Sequence, residues 1–461
     1  MLVESTRITV LNQRPCRPRE AWVLYWMQQS QRADDNPALA HAIDQANGLG
    51  LPVIAIFALT DSYPEANARH YRFMLEGLAE TQRILAGRGI DLIVQQGSPE
   101  QVVLPLADHA AMLVCDVGYT RHQRAWRQAV ARDADCRVVA VEGDVVLPVS
   151  VVSGKAEYAA RTIRPKIQRQ LQRYQVAAPP IRPRTPSPDA GLGGLDLNDI
   201  DTLMGKLAID RSVPEVSGCF KGGPQEARRR LTLFITDRLE GYSRNRNQPQ
   251  LAATSTLSPY LHFGQISPVT IALHVQAATA GSAEDRAAFL EELIMRRELA
   301  VNYVYYNPDY DRFAGLPAWA RRTLAEHAAD RRSPIYARAD LVAARTHDPY
   351  WNAAMVEMRD TGFMHNHMRM YWGKKILEWS ASPEIAFETA LWLNNRYFLD
   401  GRDPNTYAGV GWIFGLHDRA WFERPIFGKV RYMAASGLER KCDIRAYVDK
   451  VAQTGCTGTG K

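Results

Sequence analysis

The sequence predicts two folds in tandem: an N-terminal α/β domain on a doubly wound parallel sheet, then an all-helical C-terminal domain. Three observations predict it. Short apolar runs alternate with helical patterns through the first third of the chain. Pro and Gly cluster between residues 176 and 194. Beyond residue 224, apolar residues recur at helical spacing and no alternating strand remains.

The runs at 22–27, 51–59, 90–95, 111–117 and 136–147 are rich in Val, Ile and Leu and read as buried strands. Between them lie helical patterns at 37–47, 68–87, 99–109 and 121–134. Asp35 or Asn36 ahead of Pro37 is a start signal, a capping side chain followed by Pro in the first turn. Strand-helix alternation over residues 20–150 defines a parallel sheet, whose ligands bind at the carboxyl ends of its strands. Neither G-x-G-x-x-G nor G-x-x-x-x-G-K-[ST] occurs, so dinucleotide and P-loop chemistry are not signalled.

Residues 151–223 are assigned as an interdomain linker. Its core holds Pro179, Pro180, Pro183, Pro186, Pro188, Gly191, Gly193 and Gly194, a composition that does not pack. A short amphipathic stretch near 198–207 rides on it. The helical domain spans 224–450, with patterns at 227–239, 268–279, 283–306, 351–360, 365–380 and 383–395. Residues 451–461 form a Gly/Thr-rich tail expected to be flexible.

The formal charge is +6 and the pI about 8.9, which permits a polyanionic partner without demanding one. No run long enough to span a bilayer and no secretory signal is present, so a cytoplasmic protein is expected. Cysteines at 16, 115, 136, 219, 442 and 456 show no metal-like spacing and read as reduced structural thiols. His365 and His367, two apart on a helix, face different sides, so no metal is expected.

Two patterns carry chemistry. Thr254, Ser255 and Ser258 bring hydroxyls together just ahead of Pro259, where a helix can begin; such a helix start suits a phosphate, or is merely an ordinary cap. Seven of the ten tryptophans lie beyond residue 300, an enrichment that a large helical core by itself explains. Trp372 and Trp379 share one helix face about 10 Å apart along the axis, and Trp351 of an earlier helix can lie between them.

An α/β domain, a Pro-rich linker and a Trp-rich helical domain in this order resemble the photolyase/cryptochrome family. The likeness covers roughly residues 20–445 and rests on ordered motifs. Gly222-Gly223-x-x-x-Ala227-x-x-x-Leu231-x-x-Phe234, with Leu239-x-x-Tyr242, is similar to that family's entry into its flavin domain. Thr254-Ser255-Thr256-Leu257-Ser258-Pro259-Tyr260-Leu261-His262-Phe263-Gly264 resembles its FAD phosphate loop. Glu292-Leu293-Ile294-Met295-Arg296-Arg297-Glu298-Leu299 resembles its substrate helix. Met364-His365-Asn366-His367-Met368-Arg369-Met370 and Leu399-Asp400-Gly401-Arg402-Asp403 resemble the segments around the flavin ring. Arg296-Arg297-Glu298-Leu299-Ala300-x-Asn302 and the segment from Gly411-Trp412 to Gly428-Lys429 are similar to class II members; Met295 stands where class I enzymes usually carry Trp.

The resemblance implies a light-driven carbon–carbon lyase that repairs cyclobutane pyrimidine dimers in DNA. Photoexcited FADH⁻ gives one electron to a flipped-out dimer and recovers it after the bonds open. It implies FAD bound by Tyr242, Thr254, Ser255, Thr256, Leu257, Ser258, Arg369, Asp400 and Asp403. Asn394, or else Asn395, stands beside flavin N5, and Met370 borders flavin and lesion. Trp372, Trp351 and Trp379 relay electrons to the flavin. Glu292 bonds a pyrimidine edge, Trp412 stacks on the flipped bases, and Asn366 and Arg296 hold the lesion or its phosphate. Lys429, Arg431, Arg440 and Lys441 meet the DNA backbone. A monomer without membrane attachment is implied. A deazaflavin or folate antenna at the strand ends, or none, is left open. A cryptochrome-type light sensor on the same fold is the alternative reading; the short tail favours the enzyme.

Overall fold

The computed structural model describes residues 2–453. Its α/β domain is a six-stranded sheet in the order β1-β6-β5-β2-β3-β4. The strands are β1 (Ile8–Val10), β2 (Trp22–Trp26), β3 (Val53–Leu59), β4 (Asp91–Gln96), β5 (Ala110–Asp116) and β6 (Arg137–Val141). The helices α1 (Pro37–Leu49), α2 (Ala68–Ala86), α3 (Pro99–Ala107) and α4 (Arg121–Asp133) connect them. All pairings are parallel except β1 on β6, where Ile8 faces Val141. β2 is buried at every position, as its unbroken apolar run requires. The chain passes from β2 to β3 on one side and returns as β5 on the other, so the order reverses beside β2. Asn36, not Asp35, caps α1, its side chain accepting from the Leu39 amide at 3.0 Å.

The structure departs from the sequence reading at five places. The sheet is not wholly parallel: β1 closes one edge antiparallel, and three residues in an Arg/Pro-rich segment were too few to show an alternation. The run 136–147 is a strand only to Val141. Val145, Val146 and Leu147 are fully buried, but as a loop between the domains; Arg7 donates to the Val145 and Val146 carbonyls at 3.2 and 2.5 Å. The linker is not structureless: besides Ile200–Lys206, at the amphipathic stretch expected near 198–207, it contains the helix Ala160–Tyr174. Its Pro/Gly stretch does pack, along the edge strand β4. Leu195 N–H donates to Val94 O at 2.7 Å, and Ser187 Oγ donates to Val53 O at 2.6 Å while accepting from Asp91 N–H at 2.9 Å. An exposed edge is thereby covered without a further strand. Cys219 is held in a disulfide, whereas Cys16, Cys115, Cys136 and Cys442 are free thiols; spacing along a chain does not show which distant thiols folding brings together. Of the tail, residues 451–453 complete the helix Ile444–Gln453, and the remainder lies outside the described residues.

The C-terminal half is helical. Its central element is continuous but not uniform. The helix Ala283–Leu290 passes into a π-helical turn, Glu291–Arg296, and resumes as Arg297–Tyr306. A π turn inserts a residue into the ladder and re-aims the side chains beyond it. Two buried polar contacts dock this half on the sheet. Arg32 pairs with Asp144 at 2.5 Å and donates to Gly264 O and Gly143 O, both at 2.9 Å. Gly264 has φ +63°, and a Cβ there would stand 1.9 Å from the Gln29 carbonyl oxygen, so only glycine lets the two backbones meet. Glu298 Oε1 accepts from the Val146 and Leu147 amides at 2.7 and 3.4 Å.

Burial pushes the Glu298 carboxyl up to about 7, against the lowering influence of Arg297 and the two amides. The folded state therefore keeps a proton that the unfolded chain releases near the ordinary 4.5, and this contribution to stability, full below 4.5, is lost as pH rises to about 7. Glu298→Gln retains an oxygen acceptor and cannot titrate. It is expected to flatten the unfolding free energy between pH 4.5 and 7, read by urea denaturation; an unaltered slope would show that Glu298 is ionised throughout.

Candidate functional site

The helical half encloses a cavity of about 1060 Å³ of atom-free space, its mouth included. Four pieces of chain build it. The loop Thr254, Ser255, Thr256, Leu257 and Ser258 forms one end, with Leu261 behind it. The helix Asn366–Trp379 presents Asn366, Arg369, Met370 and Trp372, and the helix Pro383–Tyr397 presents Asn394. The turn carrying Asp400 and Asp403 leads into the helix Pro404–Ile413, which presents Asn405, Thr406, Gly409, Val410 and Ile413 at helical spacing.

The loop is held under tension by its neighbours. Thr256 has φ 55°, a left-handed conformation that a β-branched residue adopts only when its surroundings impose it. Arg230 supplies the constraint. Its guanidinium lies over Phe220 and Tyr260, pairs with Glu226 at 2.9 Å and donates to Thr256 Oγ1 at 3.0 Å. The hydroxyls are thereby fixed along one wall. Arg297 borders the same cavity; its Nη1 bonds the Asp144 carbonyl, while its buried Nε has no protein partner. A buried donor left over on a cavity wall is a group prepared for a ligand acceptor.

Arg369 and Asp400 form a bidentate pair, both contacts at 3.0 Å, and the guanidinium lies 3.8 Å from the centroid of Phe398. This is a buried fork, not a screened surface pair. Asp403 caps its helix by accepting from Asn405 N–H at 2.8 Å and meets His262 Nδ1 at 3.4 Å. Burial alone would raise the Asp403 carboxyl; the His262 ring and the nearby Arg297 charge outweigh it and hold it below its ordinary range. Asn394 faces the cavity, its amide donating to Thr406 Oγ1 at 3.2 Å. Asn395 points away: it bonds Glu65 and accepts from Arg402 N–H at 3.1 Å.

The tryptophans form a row. Trp372 is on the cavity wall, and Trp351 Nε1–H donates to the Trp372 carbonyl at 3.0 Å. Trp351 and Trp379 meet edge to face with centroids 5.7 Å apart. All three are buried. Beyond Trp379 lie half-buried Tyr336 and exposed His347, at 5.4 and 5.2 Å.

Other expected residues stand apart from this cavity. Tyr242 packs edge-on against Phe234 and Phe289, off the wall. Glu292 lies on the π turn and is paired with Arg246 at 2.7 Å. Arg296 is exposed beside Glu291 at 3.5 Å. Trp412 faces out of its helix between Lys374 and Arg431, at 5.0 and 5.3 Å from its centroid. Arg431 is committed to Asp418 at 2.8 and 3.1 Å and stacks on Trp421. Lys429 is half exposed, 4.0 Å from Glu423. Arg440 and Lys441 are exposed at the end of the helix Ala435–Lys441, in no ion pair among the described residues. His365 is not within its helix but caps it, accepting from His367 N–H at 3.1 Å. Sequence reasoning missed Arg297, Asn405 and Thr406. Arg297 was legible only as the neighbour of Arg296, and the other two follow Asp403 directly.

A second cavity lies at the carboxyl ends of β2 and β3, with about 740 Å³ of atom-free space. Trp26, Phe57, Tyr63, Tyr71, Trp126, Gln29, His262 and Arg402 are among its walls. The two cavities share a partition: Asp400 and Asp403 face one, Arg402, at φ 67°, faces the other.

A doubly wound domain docked on a helical domain that encloses a polar cavity with a hydroxyl-lined end is the architecture of photolyases and their relatives. Residues 23–188 match the DNA photolyase family model. The chain is 47% identical over 451 residues to the deoxyribodipyrimidine photo-lyase of Methanothermobacter thermautotrophicus, covering 98% of this chain and 99% of that one. It is 40% identical to the deoxyribodipyrimidine photo-lyase of Arabidopsis thaliana, covering 97% and 93%. Among solved structures, the class III photolyase of Agrobacterium tumefaciens superposes with a TM-score of 0.76 at 20% identity, covering 94% and 86%. The chain belongs to the DNA photolyase family.

Removing one member of a buried fork strands the other. Asp400→Asn is expected to lower stability by about 3 kcal/mol in urea denaturation; an unchanged midpoint would show that the Met364 carbonyl, which accepts from Arg369 Nε at 3.1 Å, is enough to hold the guanidinium.

Proposed function

We propose that this chain is a class II photolyase that repairs cyclobutane pyrimidine dimers in DNA, with FAD in the larger cavity. The observation that carries the reading is the row of buried tryptophans that begins on the wall of a flavin-sized cavity and ends at Trp379, against half-buried Tyr336 and exposed His347. A core needs no such alignment with a cavity. The likeness to enzymes called deoxyribodipyrimidine photo-lyase supports the same activity.

The residues present suit FAD. Thr254, Ser255, Thr256 and Ser258 would hold the pyrophosphate, with the spare Arg297 donor adding positive charge. Arg369, fixed by Asp400, would stand near the ring and favour its anionic reduced form, and Asn394 would face N5. Bound and reduced, the flavin supplies on illumination the electron that opens the dimer. The protein's part is to seal the site and position both partners. Met370 and Ile413 exclude water from the cavity wall. Trp372, Trp351 and Trp379 provide single hops to the surface for refilling the electron.

The lesion must leave the duplex to approach the cavity mouth. Asn366 on the mouth, with Glu292, Arg296 and Trp412 outside it, would receive it. Glu292 would exchange Arg246 for the base edge. Arg431 serves the loop through Asp418 and Trp421, whereas Arg440 and Lys441, unpaired and exposed, are the better backbone contacts. An antenna chromophore, a deazaflavin or a folate, would occupy the cavity beside β2 and β3, where aromatic walls and amide side chains suit a flat heterocycle.

Illuminating the reduced protein with an oligonucleotide carrying a defined thymine dimer tests the whole reading. Restored thymines are expected in light and none in darkness; equal loss in both sinks it. Trp372→Phe should slow light-driven reduction of the oxidised flavin by an order of magnitude or more, yet leave repair by chemically reduced protein intact; undiminished reduction removes the tryptophan relay.

Joint replacement of Arg440 and Lys441 by Gln should weaken damaged and undamaged duplex alike. The slope of log affinity against log salt should fall by about 0.9 per lost contact. An unchanged slope places the DNA elsewhere.

A further inference from the structure

A third groove, sharing no wall residue with either cavity, lies at the β5 and β6 side of the sheet and holds about 1510 Å³ of atom-free space, its mouth included. One face of α4 supplies Arg124, Arg127 and Gln128, one turn apart; the segment after β1 supplies Asn12 and Gln13, and the end of the helix Arg297–Tyr306 supplies Tyr305. Arg127 is buried, 8% exposed, and among the described residues no carboxylate stands within ion-pair distance of it, Asp116 and Glu142 acting on it only from further away. Its contact is the neutral Gln28 Oε1 at 3.0 Å. Arg124 donates to Tyr305 O at 2.9 Å, lies over the Tyr305 ring at 5.1 Å and likewise has no acidic partner. Arg14 and Arg132, also on the wall, are engaged by Asp135 and Asp133.

Buried guanidinium groups in proteins are paired with an anion or fully hydrogen-bonded. Here buried Arg127 and half-buried Arg124 converge on one groove with donors to spare. The single carboxyl on the wall, Glu142, is already occupied by Tyr119 Oη at 2.9 Å and Val149 N–H at 3.3 Å. Burial raises its pKa, against the lowering influence of the Tyr119 and Val149 hydrogen bonds and of the Arg7 and Arg127 charges.

We propose that this groove is a binding site for a small phosphomonoester of mononucleotide size, its phosphate held by Arg124 and Arg127 and its remainder by the Tyr305 edge and the side-chain amides of Gln13 and Gln128. Paired guanidinium forks match the phosphate geometry, and the groove is large enough for a nucleoside. DNA backbone is the weaker candidate, because a buried Arg127 at the bottom of a groove is out of reach of a duplex phosphate. The site does not depend on photorepair.

Calorimetric titration of the flavin-saturated full chain with AMP, and separately with inorganic phosphate at constant ionic strength, tests it. Saturable one-site binding of AMP is expected, with inorganic phosphate weaker. Arg124→Gln and Arg127→Gln should each weaken AMP binding about ten-fold or more, while Arg169→Gln, on an exposed helix elsewhere, should not. Arg127→Lys, which keeps the charge but loses the fork, covers the case in which Arg127→Gln does not fold. Three results overturn the proposal: no saturable heat up to about 10 mM, AMP affinity indifferent to both Arg124→Gln and Arg127→Lys, or Arg124→Gln weakening undamaged duplex but not AMP.

Discussion

The structure depends on how one buried pair, Arg32 and Asp144, is satisfied. Neither charge could be buried alone. Arg32 also donates to the carbonyls of Asp35, Gly143 and Gly264, the last of which belongs to the other domain. Asp144 offers its carbonyl to Arg297. The sheet is thus joined at one point to the segment that follows the hydroxyl loop and to the helix that follows the π turn. Both segments are cavity walls. The position of the large cavity is therefore set by the requirement that an interdomain charge find its partners, and the ligand-facing side chains inherit their geometry from it.

That requirement also explains what was legible in the sequence. Strands β2 to β5 and helices α1 to α4 were visible because their side chains answer to local periodicity. The cavity loop, the ring-facing helix and the 400–403 turn were visible through family resemblance, and Thr254, Thr256, Arg369, Asn394 and Asp400 do converge on one cavity. The rest was decided by tertiary satisfaction. Val145, Val146 and Leu147 look like the end of a strand because they are apolar; they are a loop because their amides and carbonyls are taken by Glu298 and Arg7. The Pro/Gly stretch looks unable to pack because it has few side chains, yet its backbone and one serine suffice to cover a strand edge. The π turn left no mark in an apolar pattern that continues across it.

A recurrent device is the division of labour between adjacent residues. Asn394 faces the large cavity and Asn395 the α/β domain. Arg297 borders the cavity and Arg296 is exposed. Asp403 faces one cavity and Arg402 the other. In a helix consecutive side chains diverge by about 100°, and at the 400–403 turn the left-handed Arg402 has the same effect. A one-residue ambiguity in a motif is consequently a choice between two compartments, and no average over the pair describes either.

The partition between the two main cavities follows from this alternation. Asp400 is neutralised by Arg369 on one side, and Arg402 is held on the other by the Asn395 carbonyl at 2.6 Å, beside His70 at 3.2 Å. His70 sits well below its ordinary pKa, first because it is buried and then because Arg402 is beside it, so the ring next to the guanidinium is uncharged, its Nδ1 accepting from Asn67 N–H at 3.1 Å and its Nε2–H donating to Phe398 O at 2.9 Å. The wall therefore carries Asp400 and Asp403 on one face and Arg402 on the other, and His262 of the second cavity meets Asp403 across it at 3.4 Å. A ligand that displaced Arg402 would pull on Asn395 and, through one helical step, on Asn394. A wall whose charged side chains are fixed by hydrogen bonds holds the two cavities apart in a defined geometry, which a purely apolar partition, free to repack, would not do.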